Sequence, residues 1–110
     1  MFGFSKKSPP AYWFAEPENT ACFTCGHVLD RTRPILLALH EQDGAWQFLC
    51  GAEDHSDANM KLLALSQVVA LDGTVNKLHE MPLGVGAERD RPDAHWIAFK
   101  RPNDGQPKDE

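Results

Sequence analysis

Asp43-Gly44 lies between two apolar, strand-forming runs, Ile35 to Gln42 and Ala45 to Cys50, and no other feature restricts the folds open to the chain so strongly. An Asp-Gly pair in this setting favours a two-residue type I′ turn, because both central residues need positive φ and these residue types tolerate it. A two-residue loop fixes the register: Gln42 faces Ala45, Glu41 faces Trp46, Leu39 faces Phe48 and Leu37 faces Cys50. Alternation then gathers Ile35, Leu37, Leu39, Trp46, Phe48 and Cys50 on one face, with Leu36, Ala38, His40, Gln47 and Leu49 on the other. The first set is a core face. The second is half apolar, which predicts a central strand pair covered on both sides.

Around this hairpin the chain reads as an α+β domain. Thr20 to Cys25 is rich in strand formers, followed by His27-Val28-Leu29 and a turn near Asp30 to Pro34. Lys61 to Leu65 reads as a further short strand, after which Ser66 caps a short helix carrying Val68, Val69 and Leu71 through Asp72. Gly73 stops it, and Thr74 caps another helical turn or two with Val75, Leu78 and Met81. Val85 to Asp90 and His95 to Lys100 close the sheet around Arg91 to Ala94. The expected architecture is a mainly antiparallel sheet of about five strands, with one or two short helices inserted before the last strand pair. Residues 1–10 and 101–110 lack the apolar content to offset their ordering entropy, so they read as a flexible N-terminal segment and a disordered C-terminal tail around a single domain at 11–100.

A chain of 110 residues buries roughly two thirds of its unfolded surface, so a metal or a disulfide is optional for stability. Eleven basic and sixteen acidic side chains give a net charge of −5. The longest basic clusters are Lys6-Lys7 and Lys100-Arg101, too little to neutralise a phosphate backbone or an anionic bilayer. Nucleic acid and membrane are therefore not expected partners. The N-terminal stretch lacks the apolar run of about 7–15 residues that a secretory signal requires, and three cysteines cannot all pair. The expectation is a cytoplasmic protein with reduced or metal-bound thiols.

Cys22-x-x-Cys25-Gly26, then Cys50-Gly51 and His55, form the one constellation with chemical potential. Thiolate and imidazole are the ligands zinc prefers, and Cys₃His is a recognised structural set. Cys22, Cys25, Cys50 and His55 are accordingly the candidate metal ligands and zinc the candidate ion, although no cofactor is required. A geometric argument runs the other way: in a regular strand Cys22 and Cys25, three apart, point to opposite faces, and the hairpin register turns Cys50 into the apolar face. A redox use of Cys22 and Cys25 would want a helix N-terminus where the flanks read as strand. Pairing Cys50 with His40 or His55 gives a nucleophile and base without an orienting third group. Among the polar residues Glu53 to Asp57 the spacing of a calcium loop is missing. The chain is therefore not expected to be an enzyme. Trp46 is expected in the core, with Trp13 and Trp96 as packing or recognition surface.

Glu18-Asn19-Thr20-Ala21, Pro34-Ile35-Leu36, Asp43-Gly44-Ala45-Trp46-Gln47-Phe48-Leu49, Val69-Ala70-Leu71-Asp72, Met81-Pro82-Leu83-Gly84 and the late Trp96 follow one another at characteristic spacing. Over residues 12–97 the chain resembles a family of small bacterial proteins, a domain of unknown function similar to immunity proteins of bacterial toxin systems. The resemblance implies a non-enzymatic domain that binds another protein and blocks it. It brings no catalytic residues. Where members of that family carry Gly-Trp after the Pro-Leu-Gly turn, this chain has Val85.

Overall fold

The computed structural model describes residues 11–51 and 60–100. The expected terminal segments, 1–10 and 101–110, lie outside the described residues, as does His55. In chain order the elements are β1 (Ala21–Cys25), α1 (Gly26–Leu29), β2 (Leu37–His40), β3 (Trp46–Leu49), β4 (Met60–Ala64), α2 (Leu65–Leu71), a 3-10 helix (Gly73–Leu78), β5 (Val85–Glu88) and β6 (Ile97–Lys100). The α+β class and the placing of α2 and the 3-10 helix before the last strand pair agree with the sequence reading, while α1, between β1 and β2, adds a short helix it did not include. Six strands form the sheet rather than about five, in the order β4-β1-β3-β2-β5-β6. Four of the five pairings are antiparallel, and β1 runs parallel to β3.

The hairpin is in place, but its register is shifted by one residue. His40 faces Trp46, Ala38 faces Phe48 and Leu37 faces Leu49. The loop is longer than a two-residue turn: Glu41 N–H donates to Ala45 O and Gly44 N–H donates back to Glu41 O. Gly44 has φ 93°, while Arg31 is the one described non-glycine residue with positive φ, so Asp43 does not meet the type I′ requirement. Gln42 and Asp43 instead turn in the right-handed region, Gly44 makes the left-handed bulge, and Asp43 Oδ1 accepts from Ala45 N–H. A one-residue slip reverses every side chain of β2. Ala38 and His40, not Leu37 and Leu39, therefore share the face of Trp46 and Phe48.

That face carries the core. The straight row Thr24–Phe48–Ala38–Ala87 crosses β1, β3, β2 and β5, with the small residues leaving room for Phe48. Cys22, Trp46 and Leu63 join it, and Phe14 stands edge-on to Trp46, ring centroids 5.1 Å apart. Leu65, Val68 and Val69 of α2, with Val75 and Leu78 of the 3-10 helix, complete one buried cluster. The start of α2 differs from the expected Ser66 cap. Ala64 is the cap residue, its N–H bonded by the Gln67 side chain, while Leu65 and Ser66 donate to the carbonyls of Thr20 and Glu18. Asp72, rather than Thr74, caps the 3-10 helix by accepting from the Thr74 N–H and hydroxyl.

β2 and β3 sit in the middle of the sheet with no exposed residue, as expected of a pair covered on both sides, but the cover of the second face thins toward the sheet edges. Its central residue Leu39 is buried, because Phe99 lies over Gly86 and against it. Toward the edges Phe23 and Leu62, which face each other across β1 and β4, are 40% and 64% exposed, and Ile97 on β6 is 66% exposed.

Candidate metal centre

Two strands that run in the same direction end at the same edge of a sheet. Phe23 faces Gln47 and Thr24 faces Phe48 in the parallel β1/β3 pair, so Cys25, the last residue of β1, and Cys50, the first after β3, leave the sheet side by side. Gly51, with φ 84°, then turns the chain away. On the other strand α1 starts directly after Cys25 and carries His27 in its first turn. Thr32 and Arg33 fold back to donate their backbone N–H groups to the His27 carbonyl. Asp30, whose carboxyl is held below its usual range by hydrogen bonds from Thr32, fixes that return.

One ligand atom from each of Cys25, His27 and Cys50 lies within 4.8 Å of the other two. Cys50 Sγ is 3.8 Å from His27 Nδ1. Around tetrahedral zinc, with Zn–S about 2.3 Å and Zn–N about 2.05 Å, the S···N edge is roughly 3.6 Å and the S···S edge roughly 3.8 Å. The Cys50–His27 separation is near the S···N edge, and the other two are no longer than 4.8 Å. Both cysteines are buried and His27 is half-buried. Arg33 Nη1 lies 3.8 Å from Cys50 Sγ and adds a positive charge beside the thiols. The group can hold a metal ion, and zinc fits its two sulfurs and one nitrogen.

Of the sequence candidates, Cys25 and Cys50 meet. Cys22 does not join them: it faces Leu63 on the core side, fully buried, and burial pushes its thiol up to about 12. The strand-alternation argument that separated Cys22 from Cys25 therefore holds. Its companion, that Cys50 turns into the apolar face, holds as well, since Cys50 is part of the core cluster, but its expected neighbour Leu37 faces Leu49 instead. His27 is not among the sequence candidates, although Cys25-Gly26-His27 places a potential ligand two residues after Cys25. The nucleophile-base pairing of Cys50 with His40 also fails. His40 faces Trp46, four residues and about 13 Å along the strand from Cys50. Its ring stacks on Trp46 at 3.9 Å and its Nδ1 bonds Met81 O.

Comparison of the chain with protein-family models, with curated proteins and with solved structures returns no match.

Proposed function

We propose that the chain is a small zinc-stabilised module in which Cys25, His27 and Cys50 are ligands. The convergence of these three side chains within 4.8 Å carries the reading. Solvent or a further group of the chain would complete the tetrahedron. The ion would tie the β1–α1 junction to the end of β3, across a parallel seam whose strand register spans just two residue pairs. A metal bound there adds folding free energy directly, because the unfolded chain does not hold its ligands together. The burial of Cys25 and Cys50 supports a structural ion over a catalytic one. A cleft of about 550 Å³ opens nearby between Val28, Arg31, Arg33, Ile35 and Leu71, and neither thiol forms part of its wall.

Zinc analysis of protein purified without added metal tests this. The expected result is one zinc per chain, lost in Cys25→Ala, His27→Ala and Cys50→Ala and kept in Cys22→Ala. Substoichiometric zinc, with Cys25 and Cys50 both open to thiol reagents in the native protein, would remove the reading.

A second reading concerns partners, and the open sheet face favours it. Phe23, Leu62 and Ile97 place large apolar side chains at the surface of one face, a composition that suits protein binding. It fits the immunity-like resemblance of the sequence, a non-enzymatic domain acting by protein–protein contact. No helix among the described residues is long and apolar enough to cross a membrane. The test is retention of a protein partner from the source cell by the wild-type chain and its loss in a Phe23→Lys/Leu62→Lys variant of unchanged thermal stability. A partner retained by that variant would count against the face, and a wild-type chain that retains none would count against the function.

A further inference from the structure

The same geometry gives the two ligand cysteines a second chemistry. We propose that Cys25 and Cys50 are a reversible redox pair, oxidised by peroxide to a disulfide when the metal is absent. The inference rests on the proposed ligand set only for the competition with zinc. The pairing itself rests on the parallel seam.

Thr24 faces Phe48, so Cys25 and Cys50 are neighbours one step out of register on adjacent strands. With strands about 4.8 Å apart and about 3.3 Å of rise per residue, their Cα atoms are roughly 5.8 Å apart, inside the roughly 4.4–6.8 Å that disulfides span. Their sulfurs lie within 4.8 Å of each other, and all three cysteines of the chain are thiols. The S–S bond of about 2.05 Å requires the two sulfurs to close from a separation of at most 4.8 Å. Cys22 is on the opposite face of the same strand and has no such neighbour.

Accessibility sets the order of events. Cys50 is 5% exposed and Cys25 is fully buried, so peroxide meets Cys50 first. Its sulfur attacks one peroxide oxygen, the O–O bond breaks, and Cys50 becomes a sulfenic acid as water leaves. The Cys25 sulfur then attacks the sulfenic sulfur and expels a second water. Two thiols lose two electrons and two protons, and one peroxide becomes two waters. Zinc bound to both sulfurs would occupy the electron pairs that attack, so the loaded chain resists oxidation.

The experiment treats the chelator-stripped full-length chain with hydrogen peroxide and counts thiols after unfolding. The expected result is loss of two of the three thiols, reversed by dithiothreitol, in the wild type and, from its remaining two, in Cys22→Ala. Cys25→Ala and Cys50→Ala form no intramolecular link. A non-reducing peptide map should join the Cys25 and Cys50 peptides, and zinc added beforehand should protect both. A link through Cys22, a purely intermolecular dimer, or oxidation of Cys50 past the sulfenic stage without a link would each overturn the proposal. If the disulfide forms and zinc neither binds nor protects, the metal reading fails while the redox pairing stands. If zinc binds and no disulfide forms, the reverse holds.

Discussion

Arg89 shows what a single residue contributes to this fold. Its side chain is 1% exposed, yet every guanidinium N–H has an acceptor: Ile35 O twice, Thr74 Oγ1, Pro92 O and Asp72 Oδ2 at 2.7 Å. Trp96 stacks over it with the guanidinium carbon 4.1 Å from the ring centre. One arginine therefore joins the start of β2, the 3-10 helix and the β5–β6 loop. Removing one partner of a buried ion pair leaves the other uncompensated, so Arg89→Met should lower stability by roughly 3–5 kcal/mol in urea unfolding. Arg89→Lys should recover less than half, because an ammonium cannot reach those acceptors together. Cys22 gives a prediction in pH. Burial pushes its folded thiol from the usual 9.0 up to about 12, so its contribution is complete below pH 9 and is lost as pH rises toward 12. Thermal melts of Cys22→Ala should show less alkaline destabilisation than the wild type over that window. An equal slope for both would place the effect elsewhere.

At the scale of elements, the parts set by local residue pattern were legible in the sequence. Trp46 and Phe48 on the core face, the helix through Val68 and Val69, and the last strand pair all follow from spacing. The hairpin shows where local reading stops. Asp43-Gly44 is equally compatible with a two-residue turn and with a type I turn followed by a glycine bulge, and tertiary packing selects the second. With Trp46 paired to His40, the imidazole stacks on the indole while Glu16 accepts from the indole Nε1. The parallel β1/β3 pairing was invisible for another reason: β1 inserts between β4 and β3, a non-local arrangement that no short motif records. His27 joined no ligand set because its value depends on that pairing. Gly86 belongs at this scale too. A methyl group there would meet Phe99 at 2.6 Å and Leu39 at 2.9 Å, so Gly86→Ala should cost about 1–3 kcal/mol by displacing the cover of the second face. Gly86→Ala combined with Phe99→Leu should regain part of that loss in chemical denaturation.

For the whole molecule, the sheet has one face built into a core and another with large apolar side chains toward its edges, while the cysteine and histidine cluster closes one end of its parallel seam. Stability and any zinc bound there are then linked. Chelation of a metal held about 1,000-fold above its Kd removes about 4 kcal/mol, which for a domain of this size lowers Tm by roughly 15 °C or more. The same chelator should leave the Tm of Cys50→Ala unchanged. Equal effects on both proteins would detach the ion from the cluster. Zinc K-edge X-ray absorption on the purified chain reads the ligands of the Cys25–His27–Cys50 cluster directly. Two sulfur scatterers at about 2.3 Å with at least one imidazole nitrogen at about 2.0–2.1 Å are expected. A shell of three sulfurs, which would require Cys22, or one with no sulfur at all, would contradict that ligand set.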